Sequence, residues 1–123
     1  GTPTFTNKYP GTASVKANTK VTGLISANPD QLYLINCDAA AADSIVHANA
    51  NFGTATSGNA TTGISSGELA VGTATTTNTL NLRIIGFEDT PDNDDATVAG
   101  RLAIVLLNNQ FYRYNANGTG AGI

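Results

Sequence analysis

Residues Leu80–Tyr114 read LNLRIIGFEDTPDNDDATVAGRLAIVLLNNQFYRY. Two apolar strands stand out in this stretch, Leu80–Phe87 and Arg101–Leu107, joined by the acidic loop Glu88–Asp95. Phe111–Tyr114 adds a third sheet-forming run. Arg101–Leu107 is apolar on both faces, the pattern of a strand flanked by neighbours and covered on both sides. Asn108 and Asn109 fit a tight turn after it, because asparagine tolerates positive φ. Arg83 sits between Leu82 and Ile84 in the first strand. It must face solvent, a carboxylate or a partner, and suits an interface salt bridge better than catalysis.

Upstream, Gln31–Cys37 is also apolar on both faces and is expected to be central and covered. The turn signal at 28–30 (NPD) precedes it. Thr12–Ala17 alternates Ala13, Val15 and Ala17 with polar residues, a half-buried strand pattern, and Thr19–Ile25 reads as a second strand. Asp38 could cap a helical turn over Ala39–Ala42. That run is too short for an independent helix, so a turn or a short packed helix fits equally, and Ser44–His47 could resume the sheet. Asn49–Gly63 has little periodicity and reads as a long loop or weak hairpin, anchored by Ile64 and Leu69–Val71. Thr73–Thr79 is rich in β-branched threonine.

Short strands separated by turns, without a convincing helix, predict an all-β protein: an antiparallel β-sandwich or barrel with an extended N-terminal arm. The expected division is an arm over residues 1–11, a single β domain over 12–114, and a loose glycine-rich tail over 115–123. The arm carries Phe5, Lys8 and Tyr9. Its aromatics pack either on the chain's own domain or on a neighbour, and extended arms commonly dock by strand addition. Ile123 is a candidate for capture by a neighbouring subunit.

With 123 residues there is room for one domain. Charged residues are only 12% of the chain, about half the usual share of roughly 25%. Either a partner hides much of the surface, or Thr, Asn and Ser supply solubility instead. The six basic residues are scattered and the net charge is −3, so no basic patch neutralises phosphates and nucleic acid is not expected as a ligand. No apolar run approaches the roughly 20 residues of a membrane span, and no signal-peptide pattern opens the chain. Cys37 is the one cysteine. Its alternation with Tyr33 and Ile35 marks a small buried hydrophobe rather than a nucleophile.

Tests for chemistry return little. Clustered oxygens of Asp92, Asp94 and Asp95 could form a weak cation loop, but the alternating ligands, central glycine and distal glutamate of a calcium-binding loop are missing. Carboxylates on one loop rarely face each other across a sugar. His47 is the one histidine, so any serine triad must use it, and no nucleophile elbow surrounds a serine. Cys37 and His47 lack further zinc ligands at suitable spacing. The expectation is a non-enzyme without cofactors. The Asn-x-Thr triplets at 59–61 and 117–119 carry no weight in a chain so rich in Asn and Thr.

Residues 81–94 (NLRIIGFEDTPDND), the apolar strand after them, and 109–113 (NQFYR) together resemble the head decoration, or cement, proteins of tailed bacteriophages. The likeness extends to Thr12–Thr22, 28–34 (NPDQLYL) and 61–65 (TTGIS), and so spans most of the chain. It carries no catalytic residues. It implies a viral structural protein, made in the host cytoplasm and sited on the capsid exterior of the virion. There it would bind major capsid protein and copies of itself, as a trimer in preference to a dimer. The alternatives are an extracellular β-sandwich adhesin or pilus subunit, which shares the Thr, Ala, Gly and Asn bias, or a phage tail or fibre module that binds host glycans.

Overall fold

The computed structural model describes residues 4–9, 11, 20–53 and 58–110. The expected strands Thr12–Ala17 and Phe111–Tyr114, the tail 115–123 and Ile123 lie outside the described residues, as does most of the segment 1–3 and 10–19.

The chain is all-β. Five strands form one antiparallel sheet: β1 (Leu32–Asn36), β2 (Asn49–Phe52), β3 (Leu69–Thr75), β4 (Leu82–Phe87) and β5 (Leu102–Leu107), in the order β1-β5-β4-β2-β3. β4 and β5, which the sequence marks most strongly, form the middle of the sheet. Val105 pairs with Ile84 on one side and Tyr33 on the other. A bulge between Ile84 and Gly86 puts Gly86 opposite Ile104 and Phe87 opposite Ala103, and bulges of this kind sharpen local twist.

The two end strands meet at one corner. Cys37 forms a parallel bridge with Leu69. The Asp38 N–H donates to the Leu69 carbonyl at 3.1 Å, and the Asp38 carboxylate accepts the Val71 N–H at 2.9 Å. This corner curls the sheet toward a barrel. The interior is narrow, and the residues filling it are correspondingly small: Cys37, Ala41, Ala50 and Ala103 are buried beside Leu69, Leu82, Ile84 and Val105. Tyr33, Ile35, Ile45, Val71, Phe87 and Leu107 pack around them.

Several expectations need correction. Asp38 caps no helix. Its carboxylate goes to the β3 backbone, and residues 39–42 form a connection in which Ala41 is buried. Residues 43–45 make a 3-10 turn rather than resuming the sheet, and His47 takes φ 71° where the chain swings into β2. β2 itself falls inside the stretch expected to be a long loop or weak hairpin, and it pairs with β3 and β4. Lys20–Asn28 is exposed and forms no strand among the described residues, because Val21, Leu24 and Ile25 lack the alternation that would bury one face. β1 is a strand as expected, but it stands at the end of the sheet order with Leu32 and Leu34 exposed. The turns at 28–30 and 108–109 form as expected. Asn28 Oδ1 accepts the Asp30 N–H at 2.9 Å, and Asn109 adopts φ 24°.

Candidate docking surface

The polar groups inside the fold hold loops in place. Arg101 immediately precedes β5, with its side chain almost fully buried. Its Nη1 donates to the Ala41 carbonyl at 2.8 Å and to Asp43 Oδ1 at 2.7 Å, and its Nε donates to the Asn93 carbonyl at 3.0 Å. The guanidinium lies over the Phe87 ring, 3.9 Å from its centroid, a cation–π stack suited to a planar, weakly hydrated cation. One side chain thus ties the 41–43 connection, the acidic loop and two strands together.

Asn93 is the second buried polar residue. Its Nδ2 donates to the carbonyls of Glu88 (2.8 Å) and Leu102 (3.0 Å), and its Oδ1 accepts the Leu102 N–H at 2.6 Å. The acidic loop is therefore folded around an amide, with Asp92 and Asp94 turned to solvent. Asp95 Oδ1 accepts from the Thr97 hydroxyl at 2.6 Å and from the Thr97 N–H at 2.9 Å, and these bonds, the hydroxyl first, hold its carboxyl below the usual range. Among the described residues no group of three or more His, Cys, Asp or Glu side chains is placed to hold a metal ion. Asp92, Asp94 and Asp95 are not brought together as a cation loop. Sequence reasoning missed both Asn93 and Arg101. The available signal for Arg101 was its position between Gly100 and an apolar strand, while nothing in the string distinguished Asn93 from its exposed neighbours.

Cys37 is buried, and its pKa is pushed up to about 11, by burial first and by the nearby Asp38 charge second. A thiol so placed is almost wholly protonated near neutrality and is a poor nucleophile. His47 is exposed at a strand entry.

The outside of the fold is unusual. Among the described residues ten large hydrophobic side chains are exposed, whereas eight hydrophobic residues are buried and three of those are alanines. Phe5 (94% exposed) and Tyr9 stand out from the arm. The arm's polar groups meanwhile touch the chain's own 59–64 turn: Asn7 Nδ2 donates to the Thr62 carbonyl at 2.9 Å and Lys8 Nζ to the Thr61 carbonyl at 3.3 Å. The turn beneath is ordered by Asn59, whose Oδ1 accepts the N–H groups of Thr61 and Thr62 and whose own N–H donates to Ile64. A shallow open cleft of about 620 Å³ runs between arm and turn, rimmed by Lys8, Tyr9, Asn59, Ile64 and Ser65. Within residues 4–9, then, the Asn7 and Lys8 side chains reach the turn while Phe5 and Tyr9 stay exposed.

A second apolar area lies on the sheet. Pairing register places Leu32, Leu34, Leu102, Ile104 and Leu106 on the face opposite the core, with Leu34 57% exposed. Arg83, opposite Leu106 and Asn49 on the same face, is exposed and makes no ion pair among the described residues. Of the arm residues, Lys8 and Tyr9 are thus brought to one cleft, Phe5 stands exposed outside its lining, and Arg83 is placed on the separate sheet face. No helix among the described residues is long and apolar enough to cross a membrane.

No family model, curated protein or solved structure matches this chain.

Proposed function

We propose that this chain is a viral structural protein that decorates and stabilises the outer surface of a tailed-phage capsid by binding major capsid protein. It acts in many copies, associated with one another, on the virion exterior after synthesis in the host cytoplasm. It performs no turnover and uses no cofactor. The observation that carries the reading is the excess, among the described residues, of large hydrophobic side chains left outside over those buried within. Leu32 and Leu34 adjoin Leu106 and Ile104 on one outer face, and a contiguous exposed apolar patch marks an interaction site. The resemblance along residues 81–94 supplies the identity of the partner. Those residues build β4 and the Asn93-centred loop, so the likeness falls on parts that set shape.

Phe5 and Tyr9 anchor the arm to the shell, with Lys8 and Arg83 offering charge to carboxylates there. A protein that binds only the expanded shell stabilises it by mass action. Weak single contacts suffice when copies are linked, since later contacts become effectively intramolecular. Quantitative mass spectrometry of purified particles tests this. Hundreds of copies per particle, on the order set by a closed icosahedral shell, are expected; a handful or none contradicts it. The exposed Tyr9 on the cleft rim, beside amide and hydroxyl groups, favours a glycan-binding fibre module as the second reading, for which a low copy number is the expected result.

A further inference from the structure

The outer face of the sheet carries a cation that no carboxylate of this chain answers. Pairing register sets Leu32, Leu106, Arg83 and Asn49 side by side across β1, β5, β4 and β2, with Leu34 beside Ile104 in the next row. Directly opposed residues of this kind stand about 4.5–5.5 Å apart at Cβ. Arg83 thus borders an apolar patch in which Leu32 is 48% and Leu34 57% exposed. Its other neighbour is spent: Asn49 Oδ1 accepts from Asn108 Nδ2 at 2.9 Å, and Asn49 Nδ2 donates to the Thr77 carbonyl at 3.1 Å.

Charge selects the occupant. All nine Asp and Glu residues of the chain lie among the described residues. Asp43 pairs with Arg101, and none of the nine pairs with Arg83. β1, β4 and β5 themselves contain no acidic residue. The answering carboxylate therefore comes from outside the chain. A guanidinium fork matches a carboxylate bidentately, and arginine is enriched at apolar interfaces. A phosphate backbone calls for several cations, and these three strands hold one. A second copy meeting this face with its own would bring another arginine and no carboxylate from these strands.

We infer that the outer face of β1, β5 and β4 seats a segment of major capsid protein that bears a carboxylate between apolar side chains. Arg83 clamps the carboxylate, and Leu32, Leu34, Ile104 and Leu106 receive the apolar side chains. The leucines also keep water from the ion pair, which strengthens it relative to an open surface pair. The inference rests on the capsid reading and supplies the chemistry of one contact, on the sheet and apart from the arm.

Binding of the purified full chain to expanded empty tailed-phage shells tests it, read as the concentration that gives half-maximal uptake. Arg83→Gln and Leu34→Ser, both at exposed positions, should each weaken uptake about tenfold or more, and Arg83→Glu further still, with unchanged urea midpoints. Arg83→Lys keeps the charge without the fork and should fall between the parent and Arg83→Gln. Parent uptake that Arg83→Glu and Leu34→Ser leave unchanged overturns the inference, while the capsid reading stands through the arm. Absence of parent uptake overturns both. Light scattering on the chain without shells covers the other occupant: an assembly that Arg83→Glu dissolves into single copies means that another copy fills this face, and that result overturns the inference too.

Discussion

Replacing Asn93 with alanine should cost about 2–3 kcal/mol, although only an amide in a charged surface loop is removed. The figure follows from the partners left behind. The Leu102 N–H loses Asn93 Oδ1, and the Glu88 carbonyl loses Nδ2. Both carbonyls keep a partner, since the Glu88 N–H reaches the Leu102 carbonyl at 3.1 Å and the Thr90 N–H reaches the Glu88 carbonyl at 3.2 Å. One backbone donor, the Leu102 N–H, is thus stranded at about 1–3 kcal/mol, and each carbonyl loses one hydrogen bond worth about 0.5–1.5 kcal/mol net. The low end applies because the loop lies close to water. Urea unfolding should show a lower midpoint at unchanged m-value. Thermal unfolding should fall by about 8–12 °C, at roughly 4 °C per kcal/mol for a domain of this size. Asn93→Asp should be worse at neutral pH, because it keeps the acceptor for Leu102 but turns an acceptor toward two carbonyls. Asp92→Ala and Asp94→Ala, at exposed neighbours, should stay within about 0.5 kcal/mol of the parent. If Asn93→Ala matches these controls, the loop is not organised by its amide and the reasoning fails.

Other outcomes follow from the same network and core. Arg101→Lys should cost about 2–3 kcal/mol in urea unfolding, because an ammonium cannot serve two carbonyls and stack on Phe87 together. Asp43→Asn should cost under about 1 kcal/mol, since that partner is largely exposed. Gly63→Ala should speed amide exchange at Asn59 and Gly63 several-fold: Gly63 sits at φ 73°, and an added Cβ would lie 3.1 Å from Lys8 Cβ. Gly58→Ala should disturb the same turn more, with its Cβ only 2.6 Å from the Ile64 carbonyl oxygen. Cys37 sets an alkaline limit. Its pKa rises from 9.0 to about 11 on folding, so the folded state holds the proton that the unfolded chain releases. Stability should be level below about pH 9 and decline toward pH 11, by at most about 2–3 kcal/mol. Cys37→Ala should flatten that decline in urea titrations across the range.

The strongest strands were legible because their apolar runs are continuous and bounded by turn residues. Leu82–Phe87 and Leu102–Leu107 fall within two residues of their expected limits. β1 was legible as a strand but not as the end of the sheet order, since an apolar face reads the same in the sequence whether or not it is covered. β2 (NANF) was hidden because it buries only Ala50 and is flanked by Asn, Thr and Gly, which gives no periodic signal. In β3 the interior Gly72 and its threonines mask a single strand that the string divides into an anchor and a polar run. The Asp38 contact was illegible for a different reason: its partner Val71 lies 33 residues away, and the tetra-alanine run offers a local alternative. The arm posed a choice between self-packing and docking. In residues 4–9 the Asn7 and Lys8 side chains bond to the chain's own turn while Phe5 and Tyr9 stay exposed, a split that no sequence period encodes.

For the proposed capsid role, co-sedimentation of the purified chain with empty tailed-phage shells, expanded and unexpanded, is the most direct test. Saturable, stoichiometric uptake on expanded shells is predicted, with higher resistance of those shells to heat and strong loss of uptake for Phe5→Ser combined with Tyr9→Ser. Equal absence of the chain from both pellets at concentrations where it is folded would contradict the account.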